Sequence, residues 1–272
     1  MTARRGPAET RRAMVYETLT IEHDGPIARV WLDRPARLNA LNPRALEEII
    51  AACDELQHRF ETPVVILGGR GASFCAGADR KDPPARLARG SGAGPRERRH
   101  VAQLGRRALE AIERLEAITI ARLHGHVIGG GLVLALACDL RVAAAGTLFH
   151  IPEVDLGVPL TWGAVPRLAR ETGPARAKEL ILLGERFDAA AADRYGLVNR
   201  VVAEAELDAV VDDLARRLAA KPPWALHMTK SQFQAYGRAI VLGDVTTMDG
   251  DLLSAASAED PTRFLFPPKP AP

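Results

Sequence analysis

Short apolar runs alternate with turns and with longer segments of helical periodicity along the first two thirds of the chain. A run at 18–32, broken by a His-Asp-Gly-Pro turn, predicts a β-hairpin, and the β-branched run at 62–67 predicts a buried strand. Further strands are expected at 140–144, 148–151 and 197–202. Asn42 followed by Pro43 predicts the start of a helix. The remaining helices are predicted at 100–116, 161–170, 174–183, 189–194, 204–220 and onward from 222.

Strand, loop and helix recur at roughly 50-residue spacing and then give way to helices alone, which predicts an α/β fold with a helical C-terminal portion. Residues 80–99 are rich in Pro, Gly and Arg, so we expect a mobile loop or lid there. Residues 1–15 are basic and polar, without the apolar core of a secretory signal, and predict a disordered tail.

Three consecutive glycines, at 129–131, interrupt the most apolar part of the chain. Each glycine costs backbone entropy, so their presence indicates that the backbone passes very close to another group. A helix that begins at this point would direct free N–H groups at that group. A second Gly- and Ala-rich loop, at 68–79, follows the strand predicted at 62–67, and ligands of open α/β sheets bind at such strand ends.

Composition narrows the function classes. The 36 basic and 34 acidic residues give a net charge of only +2, which offers no electrostatic case for nucleic acid. The sequence contains no run of 18 apolar residues, which is the length that would predict a membrane-spanning helix. The three cysteines lie outside any CxxC pair, which favours a reducing, cytoplasmic compartment. GxGxxG, P-loop, HExxH and GxSxG motifs are absent, and the seven histidines predict no metal site.

Several short motifs, in register over roughly residues 16–230, resemble the crotonase family (enoyl-CoA hydratase/isomerase superfamily). They are RLNAL at 37–41, FCAGAD at 74–79, HGHVIGGG at 124–131, CD at 138–139, PE at 152–153, LG at 156–157, GPARA at 173–177 and YGLVN at 195–199. The resemblance implies a spiral of repeated ββα units at 16–202. A helical region at 203–272 would then serve trimerisation and cover the pocket. It also implies a homotrimer or a dimer of trimers, an acyl-CoA thioester as substrate, and no separate cofactor.

The resemblance assigns an oxyanion hole to two backbone N–H groups, those of Ala78 and Gly130. Donors held in place there stabilise the negative charge that an enolate places on the thioester oxygen. The alternative is that the glycines only permit close packing of strand on helix. We expect Asp79 to fix the loop that carries Ala78. The other acyl-CoA contacts that the resemblance suggests are Arg37, Ala40, Asp79, Arg80 and Lys81.

Glu153 occupies the position of the family's catalytic glutamate, among apolar neighbours that favour proton exchange near neutral pH. Asp155 is the local competitor. Typical hydratases of the family carry a second glutamate where this chain has Val133. One carboxylate suffices to move a proton between carbons, so the sequence favours an enoyl-CoA isomerase. The alternatives are an enoyl-CoA hydratase, in which Thr161, Trp162 or the 80–99 loop would help to hold water, and a non-catalytic acyl-CoA-binding protein.

Overall fold

The computed structural model describes residues 15–84 and 94–240. Its larger sheet has six strands in the order β1-β2-β3-β4-β6-β9, with only the β1–β2 pair antiparallel. The predicted hairpin forms and turns at Gly25, whose φ of +56° suits glycine. The strands are β1 Leu19–Asp24, β2 Ile27–Leu32, β3 Val64–Gly69, β4 Ile118–Leu123, β6 Leu140–Ala144 and β9 Arg200–Val202.

A second, three-stranded sheet contains β5 (His126–Ile128), β7 (Leu148–His150) and β8 (Phe187–Asp188). Strands β5 and β7 are parallel, while β7 and β8 are antiparallel. Because β5 and β7 run in the same direction, their C-terminal ends lie at one edge of this small sheet.

The helices of the described residues begin where capping and proline chemistry favour them. Asn42 accepts a hydrogen bond from the Ala45 N–H (2.9 Å), and Pro43 is the first residue of α1, as predicted. The helices are α1 Pro43–Gln57, α2 Pro95–Ala102, α3 Leu104–Arg114, α4 Gly130–Leu136, α5 Ala164–Thr172, α6 Pro174–Leu183, α7 Ala189–Arg194, α8 Leu207–Ala219 and α9 Pro223–Ile240.

Two helix predictions were wrong in detail. The helix predicted from about residue 100 begins earlier, at Pro95, a favoured first helical residue, and is divided at Gln103 into α2 and α3. The helix predicted from residue 161 begins only at Ala164. Trp162 and Gly163 have φ values of +61° and +72°, which no right-handed helix contains.

The six-stranded sheet is covered on both faces. Along β3, Val65 and Leu67 pack into the larger core with α1, α3 and α4, while Val64 and Ile66 pack on the opposite face. Helix α8 covers that opposite face with residues that repeat at helical spacing: Leu207, Val211 and Ala215. This alternation confirms the predicted α/β class.

The predicted tail at 1–15 lies outside the described residues except for Val15, and so does the 85–93 part of the predicted lid. The prediction of a loop over 80–99 was wrong at its end, because residues 95–99 belong to α2, which Pro95 begins. The predicted helical region at 203–272 is described as far as residue 240 and contains α8 and α9. The domain division stays a prediction. Within 15–84 and 94–240, no helix has the length and apolar character needed to cross a bilayer.

Candidate active site

Three segments run side by side where the small sheet meets the second glycine-rich loop. Cys75 forms a parallel bridge with Val127 of β5, and Val127 pairs with Phe149 of β7. The Cys75 N–H donates to the His126 carbonyl (3.0 Å), and the Ile128 N–H donates to the Cys75 carbonyl (3.0 Å). All three segments therefore end at the same edge of the fold.

The predicted catalytic groups lie just past these three ends. Ala78 follows the first segment, Gly130 the second and Glu153 the third. The Gly129 N–H donates to the His150 carbonyl (2.9 Å), which locks the second and third ends together. The parallel register is thus what brings these positions, distant in sequence, into one site.

Two backbone amides at this edge face no protein acceptor. Neither the Ala78 N–H nor the Gly130 N–H donates a hydrogen bond within residues 15–84 and 94–240. A Cβ added to Gly77 would lie 3.5 Å from the Gly130 nitrogen. Standard backbone dimensions then place the Ala78 and Gly130 nitrogens within about 7 Å of each other, compatible with two donors sharing one oxygen. Gly130 is also the first residue of α4, whose positive end favours negative charge.

Each of the three glycines is in close contact with a different neighbour. Gly129 has φ +49° and ψ −119°, a conformation for glycine alone, and a Cβ there would lie 2.5 Å from Glu153 Oε1. A Cβ on Gly131 would lie 2.5 Å from the Cys75 carbonyl oxygen. Close packing is therefore real at all three positions. Close packing does not account for the amide of Gly130, which has no acceptor among the described residues, so the packing alternative does not explain this position fully.

Glu153 presents a buried carboxylate to this edge. The residue as a whole is only half-buried, but its Oε2 atom is sealed from solvent and has no hydrogen-bond partner among the described residues. Burial raises the pKa of Glu153 from 4.5 to about 7, against a small opposing effect of its own backbone N–H. Its Oε1 lies within about 6 Å of the Gly130 nitrogen by backbone dimensions. Such a group can both accept and release a proton at neutral pH.

Within the described residues, no other charged side chain contributes to the raised pKa of Glu153, which comes from burial against the opposing effect of its own backbone N–H. Val133, where a second glutamate would stand, is 2% exposed within α4. Asp155 is exposed and lies against Gly184, where an added Cβ would be 2.6 Å from its Oδ2. Among the described residues, Glu153 is thus the one carboxylate that faces this edge without a charged partner.

Asp79 fixes the loop that carries Ala78. Its side chain is 1% exposed and accepts hydrogen bonds from Arg34 Nη2 (2.8 Å), Arg37 Nη2 (2.8 Å) and the Lys81 N–H (3.0 Å). Burial alone would raise the pKa of Asp79, but hydrogen bonds from Arg37 and Arg34 outweigh it and hold that pKa below its usual range.

The residues predicted to contact acyl-CoA group around the same loop. Arg37 remains one-third exposed while it pairs with Asp79. Ala40 is buried, and its carbonyl accepts a hydrogen bond from Arg34. Arg80 and Lys81 have exposed side chains on the outer side of the loop. Arg80 and Lys81 thus follow Ala78 by two and three residues, and Arg37 pairs with its neighbour Asp79.

Sequence reasoning gave no separate role to Arg34 or Asn39. Asn39, buried with φ +56°, donates through Nδ2 to the Arg70 carbonyl (2.9 Å) and the Ser73 carbonyl (2.8 Å). Its Oδ1 accepts from the Arg34 N–H (2.9 Å). Asn tolerates left-handed backbone and offers both donor and acceptor, which was the available signal in the RLNAL stretch.

Known proteins resemble this chain over most of its length. The family model for enoyl-CoA hydratase/isomerase matches residues 22–263. The crotonyl-CoA hydratase of Syntrophomonas wolfei is 35% identical over 80% of this chain and 82% of its own. A peroxisomal Delta(3,5)-Delta(2,4)-dienoyl-CoA isomerase of Arabidopsis thaliana is 34% identical over 79% of this chain and 81% of its own.

Solved structures agree with these relatives. A putative enoyl-CoA hydratase from Thermobifida fusca, solved in complex with CoA, is 30% identical and superposes with a TM-score of 0.73. The alignment covers 89% of this chain and 92% of that one. With its α/β spiral and its match across the length of the family model, the chain belongs to the enoyl-CoA hydratase/isomerase family of acyl-CoA enzymes and has the crotonase fold.

Proposed function

We propose that this protein is an enoyl-CoA isomerase in which Glu153 is the only acid–base group. The observation that carries the proposal is one isolated, buried carboxylate, with a pKa of about 7, beside two acceptor-free amides. A thioester oxygen held by the amides would leave the adjacent acyl carbons within reach of the carboxylate. The substrate class is a 3-enoyl-CoA, and no cofactor besides the CoA thioester is required.

The proposed reaction moves one proton along the acyl chain. Glu153 removes a proton from C2, and the electron pair of the broken C–H bond moves toward the thioester oxygen to form a dienolate. The N–H groups of Ala78 and Gly130 stabilise that oxyanion, each by about 3 kcal/mol if they behave like other oxyanion-hole donors. Glu153 then returns the proton to C4, the thioester carbonyl re-forms, and the double bond now lies between C2 and C3.

The positive side chains beside Ala78 support recognition of the CoA part. Arg37, Arg80 and Lys81 can bind its phosphates, because phosphate recognition uses guanidinium and ammonium groups. Arg37 is already oriented by Asp79, so it is the most ordered of the three candidates.

Hydration of a 2-enoyl-CoA is the second candidate function, because several relatives are named hydratases. Hydration needs a held and activated water molecule, usually between two carboxylates. The buried Val133 at the second position speaks against that reaction. A non-catalytic acyl-CoA-binding protein is the third candidate, and the isolated carboxylate of Glu153 argues against it.

An absorbance assay separates these functions. Ultraviolet absorbance of the conjugated thioester rises when a 3-enoyl-CoA is isomerised and falls when a 2-enoyl-CoA is hydrated. We expect isomerisation, and a loss of kcat of about 10²- to 10⁴-fold in Glu153→Gln. The matched control, Asp155→Asn, alters a carboxylate two residues away that lies against Gly184, and should retain activity.

Each alternative predicts a different result in that assay. Faster hydration than isomerisation by the wild-type protein would establish the hydratase. Full turnover in Glu153→Gln would remove Glu153 from the mechanism. Micromolar acyl-CoA binding without any turnover would establish the binding protein.

We also propose a homo-oligomer, a trimer or a dimer of trimers, in the cytoplasm. Helix α9 exposes large apolar side chains, with Trp224 74% and Phe233 71% exposed, as expected of a surface that another subunit covers. The three buried, unpaired cysteines favour a reducing compartment.

A further inference from the structure

The indole of Trp162 fills a slot between two glycines of neighbouring helices. A Cβ on Gly130, at the start of α4, would lie 2.5 Å from Trp162 Cζ3. A Cβ on Gly105, in α3, would overlap the indole at Cε2 and Cδ2. The ring therefore lies directly against the backbone of both helices, and Trp162 is 8% exposed overall.

Holding the ring in this slot requires a strained backbone and a position without a Cβ. Trp162 has φ +61°, which costs a bulky residue on the order of 1–3 kcal/mol. Gly105 is the second residue of α3, and any Cβ there would overlap the indole. Backbone strain of this kind persists only where the surroundings enforce it, and it concentrates at ligand-contacting positions.

A buried arginine enforces the strained turn. Arg167 Nη1 donates to the Gly163 carbonyl (2.8 Å) and the Trp162 carbonyl (3.2 Å). The same guanidinium pairs with Glu113 of α3, through Nε to Oε1 at 2.8 Å. The turn that carries Trp162 is thus tied to the helix that forms the other wall of the slot.

The ring also lies close to the reacting atoms. Its Cζ3 is within about 5 Å of the Gly130 nitrogen by standard bond geometry. Glu153 contacts the preceding glycine, Gly129. Acyl carbons next to a thioester oxygen held by Gly130 are therefore within van der Waals reach of an apolar, immobile surface.

We propose that Trp162 is a specificity-determining residue that closes the acyl pocket beside Gly130 and restricts the enzyme to short, unbranched acyl chains. This inference rests on the proposed function for its substrate class. A large, fixed ring limits the size of the acyl chain that can bind. Each carbon group that an apolar pocket accepts or rejects changes the selectivity between substrates by about 10-fold or more.

The test compares acyl-CoA thioesters of increasing length, with and without a methyl branch, on Trp162→Ala and Trp162→Phe. The quantity measured is the ratio of kcat/KM for long to short substrates. We expect this ratio to rise about 10-fold or more in Trp162→Ala and to rise less in Trp162→Phe. The matched control is Trp31→Phe. Trp31 lies on β2, and the Arg70 guanidinium packs over its ring.

A ratio isolates pocket shape from general damage, because a misplaced oxyanion hole would lower activity on all substrates equally. An unchanged ratio in Trp162→Ala would reduce Trp162 to a packing residue and overturn the inference. If Trp162→Ala does not fold, Trp162→Phe carries the same test, with any rise in the ratio supporting the inference and no rise overturning it.

Binding measurements separate this inference from the proposed isomerase activity. Dissociation constants of saturated short- and long-chain acyl-CoA, measured by calorimetry, report the pocket without turnover. A wild-type protein without isomerase activity would contradict the proposed function. In that case, relatively tighter binding of long-chain than short-chain acyl-CoA by Trp162→Ala than by the wild type would still support the role of Trp162.

Discussion

At the scale of single residues, Glu153 combines burial with an Oε2 atom that has no hydrogen-bond partner in the part of the chain that the structure describes. Burial disfavours the ionised form of this carboxyl group, which places its pKa near 7 instead of 4.5. The same desolvation that suits it to proton transfer also makes its charge unfavourable for the folded protein. Ionisation of Glu153 should therefore change both activity and stability over the same pH range.

The pH profile of activity should show this titration. Glu153 acts as a base only when ionised, so kcat/KM should rise with pH up to about 7 and level off above it. The measurement is kcat/KM for a 3-enoyl-CoA from pH 5 to 9. An acid limb centred near the ordinary glutamate value of 4.5 would contradict the assignment.

Stability should change over the same range with the opposite sign. Between pH 4.5 and about 7, native Glu153 retains a proton that the unfolded chain has lost, so stability falls as pH rises and is constant above that range. The full effect is on the order of 3 kcal/mol. Urea unfolding at pH 5 and pH 8 should show this difference in the wild type and lack it in Glu153→Gln.

Gly129 should prove irreplaceable for two separable reasons. Alanine there must adopt a glycine-only conformation and must also displace Glu153 Oε1. Gly25 has a similar φ of +56° but open space around it, so Gly25→Ala tests a positive-φ alanine without a steric clash, at a cost of about 1–2 kcal/mol. We expect both variants to lose stability and only Gly129→Ala to lose most of its turnover. Equal activity in the two variants would show that the Glu153 carboxylate tolerates displacement.

At the scale of elements, the loop at 34–41 supports the loop that carries Ala78. Asn39 hydrogen-bonds to three backbone groups from separate parts of these loops. Asp79 and Arg34 add a charged contact between the same two loops. The position of the Ala78 amide, one of the two proposed oxyanion-hole donors, therefore depends on polar contacts made by a different segment.

Asn39→Ala should be strongly destabilising, because it leaves buried backbone groups without partners. We expect a loss of about 2–4 kcal/mol in the free energy of unfolding. Asn42→Ala, three residues on, removes mainly a helix cap and should cost about 1 kcal/mol. Denaturant unfolding of the two variants measures the contrast, and similar losses would mean that Asn39 is not the support described.

Elements that are set by interactions between neighbouring residues were predictable from the sequence, and those set by interactions between distant residues were not. The start of α1 at Pro43 was predictable because Asn42 caps it locally. The start of α5 was not, because Trp162 takes a left-handed conformation enforced by Arg167 and, through it, Glu113. The three glycines at 129–131 correctly indicated that the backbone passes close to other groups. Which group each glycine contacts depends on the register of the strands, which short sequence patterns do not specify.

At the scale of the whole molecule, the last helix that the structure describes, α9, is anchored by a buried cation. Lys230 Nζ donates to the Ala117 carbonyl (2.9 Å) and pairs with Asp139 (2.8 Å). This contact fixes the inner side of α9 on the core and leaves Trp224, Phe233 and Tyr236 exposed outside. An anchored helix with an apolar outer surface suits contact between subunits.

Light scattering should accordingly give three or six times the mass of one chain. Phe233→Glu places a charge on the exposed surface and should shift the protein toward smaller species, because an unpaired charge buried at an interface is costly. Glu substitution of the exposed Phe60, which lies outside α9, is the matched control. A monomeric wild-type protein would contradict the proposed assembly.

The parallel alignment of Cys75, Val127 and Phe149 has a consequence for how the protein folds. These residues are far apart in the chain, so their pairing closes long loops and comes at a high entropic cost early in folding. The hairpin of β1 and β2 closes a short loop and can form first. We expect the ability to bind acyl-CoA to appear late in refolding, after most of the secondary structure, since the site is complete only when Cys75, Val127 and Phe149 are paired.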